Sequence, residues 1–195
     1  MYEKDSKKHG ISQGDLFQDF NYVRWAELIE GNIETDEIEI ETDEIEIPFF
    51  VVLTQSCDLE KDFEDRNKSE SEKRDKYIQS ILVCPAYIAD LVRSGKHLED
   101  VGLIMENYNS KRWNIINKNN NERYHFLEKN EELGIPDLVI DFKQYYTIPT
   151  YILYKIYKNH FVGSLKPLFR ENLSHRFAFY LSRIGLPDII PPVDG

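Results

Sequence analysis

A five-residue apolar run, Phe49–Leu53, constrains the fold of this chain more than any other feature. The run is short and is made of aromatic, β-branched and leucine side chains, which predicts a strand buried on both faces of a sheet. The polar segment Thr54–Asp58 follows it directly. The strand is therefore expected to deliver Gln55, Cys57 and Asp58 to one end of the sheet, and these three are the first candidate site residues.

Length and composition fit one reduced, intracellular domain. The chain has 195 residues, enough to bury a core, and its 12 Tyr and 11 Phe favour β structure. We predict a single domain over residues 11–187 with flexible ends at 1–10 and 188–195. The two cysteines lie in or beside apolar runs, which is typical of a reduced, cytoplasmic protein. We expect neither a signal peptide nor any association with a membrane.

Charge is distributed unevenly along the chain. Residues 27–47 carry ten acids and no base, and they supply most of the net charge of −11. Residues 142–183, in contrast, contain seven Lys or Arg and one acid. A basic patch on an acidic protein is compatible with nucleic-acid binding, and the alternative is that these bases form a solvated helix face.

The acidic insertion at 33–47 contains the heptapeptide ETDEIEI twice in tandem, at 34–40 and 41–47. Ile alternates with acids, which fits a long hairpin arm with the isoleucines of both copies on its buried side. The dense carboxylates oppose strand pairing, so we favour a surface loop whose last part, Ile45–Ile47, leads into the central strand. The segment Glu34–Ile47 is also a candidate arm for docking a protein partner.

The remaining pattern predicts a sheet with inserted helices. A charged loop is expected at 59–76, and a helical excursion at 86–108 that starts with a helix over Ala86–Val92 closed by Gly95. The predicted strands are Leu16–Phe17, Tyr77–Val83 with its end at Pro85, Arg123–Leu127, Leu138–Phe142 and Tyr145–Ile148. Residues 150–158 fit either a strand or a helix. An amphipathic helix is predicted at Glu171–Ile184, capped by Asn172 or Ser174, with the apolar stripe Leu173, Phe177, Leu181 and Ile184.

Cys57 is the candidate nucleophile of the chain. A thiol needs a nearby base to become a thiolate, and His125 and His175 are the candidate bases. The alternative is a structural cysteine followed by Asp58 as a cap of the next turn. The sequence contains no metal-binding spacing of Cys or His, no P-loop and no GxGxxG motif, so we expect no metal and no cofactor.

A second set of side chains is a candidate anion-binding surface. Bases of a single-stranded nucleic acid could stack beside it on Tyr22, Trp25 or Tyr124. The alternative is that the arginines pair with acids of the same chain. The set consists of Arg123, His125, His175, Arg176 and Arg183.

Four short motifs occur in the order GDLF (14–17), FFVVL (49–53), ILVCP (81–85) and VIDF (139–142), with an amphipathic helix after the last. This order resembles the PemK/MazF-like family of small SH3-like β-barrels, over roughly residues 11–60, 77–90 and 137–185. The resemblance implies an α+β, mainly β fold: a small SH3-like, PemK-like barrel with inserted helices and a C-terminal amphipathic helix.

The resemblance also implies a function. Many members of that family are toxins that cleave single-stranded RNA without a metal, using an Arg of the first loop and a hydroxyl residue after the third strand. Arg24 is the Arg available in that loop, and Gln55–Asp58 would line the groove. The expected Thr or Ser is missing, because Ala86, Tyr87 and Ile88 follow Pro85. The expected function is a toxin-like or defence-associated protein that acts on single-stranded RNA.

Two alternatives stay open beside the RNA-acting hypothesis. One is a non-catalytic module of a toxin–antitoxin or defence system that docks a basic partner through its acidic segment. The other is a Cys57-dependent enzyme. A homodimer also stays open.

Overall fold

The computed structural model describes residues 1–4, 10–25, 42–66 and 75–183, except the side chain of Trp25. These residues form an α+β fold with a mostly antiparallel sheet curled into a half-barrel. The strands are β1 (Tyr2–Glu3), β2 (Asp15–Trp25), β3 (Thr42–Val52), β4 (Ser80–Ile88), β5 (Tyr124–Leu127), β6 (Leu138–Asp141), β7 (Tyr146–Pro149) and β8 (Phe161–Leu165). The helices are α1 (Ser56–Arg66), α2 (Ala89–Ser94), α3 (Ser110–Asn117), α4 (Thr150–His160) and α5 (Pro167–Leu181).

The central strand is confirmed, and it is longer than the apolar run that predicts it. The sheet order is β1-β8-β2-β3-β4-β6-β5, and β7 also pairs with β4. Phe50, Val51 and Val52 of β3 are fully buried. Val51 packs in a cluster with α5, whereas Phe50 and Val52 pack on the other side of the sheet in a cluster with α4. The strand is therefore buried on both faces, as the sequence predicts.

The second copy of the acidic repeat lies in a strand and not in a loop. β2 and β3 form a hairpin arm that is paired from Leu16↔Val51 to Trp25↔Thr42. The expectation of a surface loop is therefore wrong over 42–47, and the hairpin alternative holds there. The first copy, at 34–40, lies outside the described residues. The arm tolerates its carboxylates because Asp43, Glu44 and Glu46 are exposed to solvent.

The hairpin arm changes faces at Asp19 and Pro48. Asp19 has a φ of 55°, and the register passes from Gln18↔Phe49 to Phe20↔Ile47 without pairing the two residues between. Pro48 has no N–H to donate, so the ladder is interrupted at this point. As a result Ile47 packs with Phe50, three residues away, and not with the neighbouring cluster of Val51.

Strand β4 continues through Pro85, so the predicted end of the strand there is wrong. Pro85 pairs with Phe50 of β3. On the opposite edge, β7 pairs with Ser80–Val83 and β6 with Ala86–Ile88. Pro85 lies at the changeover between these two partners, where a missing N–H is tolerated.

The helical excursion begins later and ends later than predicted. Ala86–Ile88 still belong to β4, and the first helix is α2. A 3-10 turn at Glu99–Val101 takes the place of a second helix in that stretch, and α3 extends the excursion to Asn117. Gly95 closes α2 in the left-handed conformation, as predicted, and its N–H donates to the carbonyl of Val92.

The charged segment after Asp58 is partly an ordered helix. The sequence predicts a mobile loop or a solvated helical turn at 59–76, but α1 covers its first part. Leu59 and Asp62 of this helix are fully buried. Asp62 accepts hydrogen bonds from Arg66 and from the backbone N–H of Ile78, which ties α1 to the segment before β4. Residues 67–74 lie outside the described residues.

Near the chain ends the described residues depart from the expectation at two places, whereas the end at 188–195 lies outside the described residues. Residues 1–10 were expected to be flexible, but Tyr2 and Glu3 pair with β8 as an edge strand. Helix α5 begins at Pro167, a residue suited to the first turn of a helix, so Asn172 and Ser174 are not its caps. Its stripe is shorter than predicted, because Leu173 and Phe177 are buried and Leu181 is half exposed, while Ile184 lies outside the described residues. Residues 150–158 are helical, in α4.

The described ranges contain no helix with the length and apolar character that a membrane crossing requires.

Two glycines of the helical excursion, Gly95 and Gly102, allow a matched test of how closely its loop packs. Gly95 and Gly102 have nearly the same φ, 76° and 77°. A Cβ at Gly95 would lie 2.2 Å from the carbonyl oxygen of Met105, whereas a Cβ at Gly102 would meet nothing within 4 Å. Gly102→Ala should cost about 1–2 kcal/mol of the free energy of unfolding from the left-handed backbone alone. Gly95→Ala should cost clearly more, measured by urea denaturation; equal losses would contradict the close packing of residues 95 and 105.

Candidate functional site

The five catalytic candidates do not meet at one site. Arg24 pairs with Asp43 near the start of β3, whereas Gln55–Asp58 follow the end of that strand. Nine strand residues, 44–52, follow Asp43 before the end of β3, a length of roughly 30 Å. His125 lies on β5, three strands away from β3 across β6 and β4, or roughly 14 Å sideways.

Gln55, Cys57 and Asp58 lie together where α1 begins. Cys57 is exposed, and its Sγ lies 3.7 Å from Oε1 of Gln55 and 3.7 Å from Oδ1 of Asp58. Asp58 also lines an open cavity of about 410 Å³ with Thr54 and Lys61.

His125 is a buried structural side chain and not a base for Cys57. It is 4% exposed and packs on Phe142. Burial, with the nearby positive charge of Arg176, lowers the pKa of His125 to about 3. His175, the other candidate base, is exposed on α5 and lines a different cavity, of about 380 Å³, together with Arg176.

The arginines of the predicted anion-binding surface are engaged within the protein. Arg123 forms a bidentate pair with the fully buried Asp141, at 2.5 and 2.7 Å. Arg176 donates to the backbone carbonyls of Asn119, Asn121 and Tyr124. Removing one partner of a buried ion pair typically costs about 3–5 kcal/mol, because the other charge is left uncompensated, so Arg123 is required to keep Asp141 buried.

Arg183 follows the same pattern at the surface, where it donates to Glu122 at 3.0 Å and stacks over Tyr180. Trp25 pairs with Thr42 at the far end of the described arm, and the position of its side chain is not described. The alternative given for the arginines therefore holds for Arg123 and Arg183, which pair with acids of the same chain, and Arg176 is held by carbonyls.

Arg24 instead lines a cleft between the hairpin arm and the excursion. The cavity has a volume of about 110 Å³. We call it the Arg24–His97 cleft. It is bounded by Arg24, Ile45–Pro48, Tyr87, Ile88, Leu91, Lys96–Leu98, Asp100, Val101, Leu103, Gln144 and Tyr146.

Three rings, of Tyr87, His97 and Tyr146, line the Arg24–His97 cleft beside mostly aliphatic side chains, and Tyr22 packs on Tyr146 from outside the lining. The ring centroids of Tyr22 and Tyr146 are 4.6 Å apart, and those of Tyr87 and His97 are 5.0 Å apart in an edge-to-face contact. Burial raises the pKa of Tyr146, against an opposing effect of the positive charge of Arg24. The charge of the Arg24 guanidinium is therefore close enough to Tyr146 to affect the pKa of its hydroxyl.

Several polar atoms of the residues that line this cleft are buried. Nε of Arg24 is buried and makes no hydrogen bond among the described residues, and both ring nitrogens of His97 are buried as well. Nη2 of Arg24 lies 3.4 Å from Asp43, a long and exposed contact. Burial lowers the pKa of His97, against smaller opposing effects of the charge of Asp141 and of a hydrogen bond with the backbone of Leu91, so the imidazole is neutral near pH 7.

The Arg24–His97 cleft has the features of a binding site for a polar ring or an anion. Its lining combines the rings of Tyr87 and Tyr146, two cationic side chains in Arg24 and Lys96 beside the acids Glu46 and Asp100, and the unpaired Nε of Arg24. Within the described part of the chain, no group of three or more His, Cys, Asp or Glu side chains is arranged to hold a metal ion.

Comparison with known proteins does not assign the chain to a family. No family model matches the chain, and no curated protein and no solved structure is significantly similar to it.

Sequence reasoning identified Arg24 but missed the residues that surround it. His97, Lys96, Tyr87 and Tyr146 come from three separate segments. One feature of the sequence could have indicated this site. His97 follows Gly95, which ends a helix, so a titratable side chain lies in a loop of the predicted excursion. Nothing in the sequence pairs this histidine with the end of β2.

The lowered pKa of His125 allows its buried, neutral state to be tested through the pH dependence of stability. Between pH 6.5 and about pH 3 the unfolded chain binds a proton that folded His125 does not, so its contribution to stability is complete above pH 6.5 and is lost as the pH falls. In His125→Leu, the fall in the free energy of unfolding between pH 7 and pH 4.5 should be smaller by up to about 1.4 kcal/mol per pH unit. The exposed His175→Leu is the control. An unchanged pH dependence in His125→Leu, measured by urea denaturation, would contradict the buried neutral state.

Proposed function

We propose that this protein is a toxin-like or defence-associated protein of PemK/MazF type that acts on single-stranded RNA at the Arg24–His97 cleft, without a metal. One observation carries the proposal: Arg24, the Arg that the resemblance selects, lies in a cleft with Tyr87, Tyr146 and His97. Aromatic walls with a cation are the combination that binds single-stranded nucleic acid, through base stacking and phosphate contacts.

The sheet supports the barrel part of the proposal. The strands build a curled, mostly antiparallel half-barrel, and the proposal is that this half-barrel is of the PemK-like type. The long hairpin of β2 and β3 and the short pairing of β4 with β6 are compatible with such a barrel.

Electrostatics limits how much RNA the cleft can hold. The carboxylates of Asp43, Glu44 and Glu46 lie on the arm beside Arg24 and repel a phosphate backbone. Contact is therefore confined to one or two phosphates near Arg24 and Lys96. In the reaction proposed, Arg24 neutralises the charge that develops on the phosphate. The protein should bind RNA with modest affinity and a shallow dependence on salt.

The test measures binding and cleavage separately. Wild type, Arg24→Ala and the exposed control Arg112→Ala are titrated with a fluorescent single-stranded RNA at several salt concentrations, and cleavage is followed in EDTA. Arg24→Ala should bind at least about tenfold more weakly, and the slope of log K against log salt should fall by about 0.7, the value for one phosphate on a single strand. Arg112→Ala should behave as wild type.

Each outcome bears on one form of the proposal. Cleavage in EDTA that Arg24→Ala abolishes supports the nuclease form, and binding without cleavage reduces it to an RNA-binding protein. If wild type neither binds nor cleaves RNA, the proposed function is wrong.

A second candidate function is the docking of a basic protein partner through the hairpin arm. It is favoured by a specific observation: Asp43, Glu44 and Glu46 are all exposed on the arm, next to Val23, which is 56% exposed. An acidic strand with an apolar neighbour suits a lysine-rich strand or helix, and charge complementarity would set the association rate.

The arm is tested with charge-neutral variants that keep its strand. A synthetic lysine-rich peptide is titrated against wild type and against the triple variant Asp43→Asn, Glu44→Gln, Glu46→Gln. At low salt the triple variant should bind at least about tenfold more weakly, because three attractive charges are lost. The control changes three other exposed acids, Glu128, Glu131 and Glu132, to Gln. Equal weakening in both variants would show a general charge effect and would remove this candidate.

A further inference from the structure

The outer edge of strand β3 has no strand partner along the hairpin arm. On one side β3 pairs with β2 from Thr42 to Val51, but on the other side it pairs with β4 only through Phe49–Val52. Strand β4 then ends at Ile88 and continues directly into α2. Among the described residues, the backbone groups of Thr42–Ile47 that point away from β2 therefore meet no further strand. An open edge of this kind is a template for pairing with another extended chain.

An apolar wall lies across the Arg24–His97 cleft from this edge. Ile45 and Ile47 line the cleft from the side of the arm, and Ile88, Leu91 and Leu103 line it from the side of the excursion. The last three side chains are 37%, 41% and 50% exposed. Single exposed apolar side chains are ordinary, but a group of them around one cavity, beside an open strand edge, is typical of an interaction surface.

The volume of the cleft fits one side chain of an added chain and not the chain itself. An apolar cavity of roughly 150 Å³ accommodates one benzene ring, and the volume here is about 110 Å³. One aliphatic side chain therefore fills the cleft, and the backbone that carries it has to run along the outer edge of β3.

The charges along this edge favour a basic occupant. Asp43, Glu44 and Glu46 are exposed on β3, and Asp100 lines the cleft from the excursion. Two bases also line the cleft, but one of them, Arg24, already contacts Asp43. A second copy of this arm would bring its own acids against these acids, and like charges on neighbouring strands are unfavourable.

The alternation of side chains along β3 defines the sequence pattern of the occupant. Ile45 stands between Glu44 and Glu46, and successive side chains of a strand point to opposite faces. A strand added beside β3 therefore places its own side chains by turns next to acids and next to apolar groups. The complementary sequence alternates basic with aliphatic residues.

From this geometry we propose that the groove between β3 and α2 binds an extended segment of a partner protein in which Lys or Arg alternates with aliphatic residues. The segment adds to the sheet as a strand beside Thr42–Ile47, one aliphatic side chain enters the Arg24–His97 cleft, and the basic side chains lie beside Glu44 and Glu46. The proposal rests on the second candidate function, docking through the hairpin arm, and deepens it by naming the conformation and the sequence pattern of the partner.

The first experiment compares two peptides on wild type. A fluorescent heptapeptide with blocked ends alternates Lys with Val, and an isomer of the same composition has its three valines together. The alternating peptide should bind about tenfold or more tightly at the same salt concentration, because only its sequence meets acids and apolar groups by turns.

A second pair of peptides tests whether the backbone pairs with β3. In an extended chain the N–H groups of successive residues point to opposite edges, so either those of the valines or those of the lysines face β3. One peptide is N-methylated at the three valines and the other at three of the lysines. One of them should lose about tenfold or more in affinity, and the other should bind like the parent peptide.

A pair of leucine variants tests the apolar wall. Leu91→Ala removes an exposed side chain that lines the cleft, and the control Leu168→Ala removes an exposed leucine on α5. Leu91→Ala should weaken binding of the alternating peptide at least about fivefold, and Leu168→Ala should bind like wild type. The peptide comparisons use wild type alone, so they decide the question if Leu91→Ala does not fold.

The outcomes separate this inference from the candidate function on which it rests. If no basic peptide binds, docking through the arm fails and the inference fails with it. If the parent peptide binds and depends on the arm acids, but the isomer binds equally or the two N-methylated peptides behave alike, docking stands and strand addition is overturned. A dimer of the free protein that Leu91→Ala dissociates and that excludes the peptide would show that a second copy occupies the groove, which also overturns the inference.

Discussion

Strand β3 is the element on which the remaining structure depends. Its C-terminal half is buried on both faces and separates two clusters of side chains, one against α5 and one against α4. Its N-terminal half forms one side of the hairpin arm. The interrupted pair of Asp19 and Pro48 joins these two halves, because it turns the isoleucines of the arm towards the cluster of Phe50. The arm thereby reaches the excursion, and the cleft forms between them.

Most cations near the β5 edge of the sheet are used to hold the fold. Arg123 neutralises the buried Asp141, and Arg176 satisfies three backbone carbonyls that follow α3. The S–H of the buried Cys84 donates to the carbonyl of Asp141, so this edge has a connected polar network. Such networks stabilise a single arrangement when their members are paired. Arg24 differs, since its one described ion pair, with Asp43, is long and exposed. Nε is buried and unpaired in both Arg24 and Arg176, but the Nη atoms of Arg176 are held by three carbonyls.

The contrast between paired and unpaired polar groups is what gives the Arg24–His97 cleft its significance. Buried polar atoms in folded proteins are mostly satisfied, and the exceptions call for an explanation such as a bound molecule. His125 is also buried with an unpaired nitrogen, but it packs against Phe142 and Arg176 in the interior. His97, in contrast, lines a cavity together with Arg24 and Lys96.

The sequence by itself determined the local elements with strong periodicity. The apolar run Phe49–Leu53 specified the buried strand, and Gly95 specified the end of α2, because short-range sterics and burial decide both. The acidic repeat was misjudged, since repulsion between carboxylates is small once solvent screens them and the pairing of β2 with β3 outweighs it. The candidate site was decided only by tertiary structure. Arg24 and His97 are distant in the chain. How far the kinked hairpin arm extends across the sheet depends on tertiary packing, which the sequence pattern does not reveal.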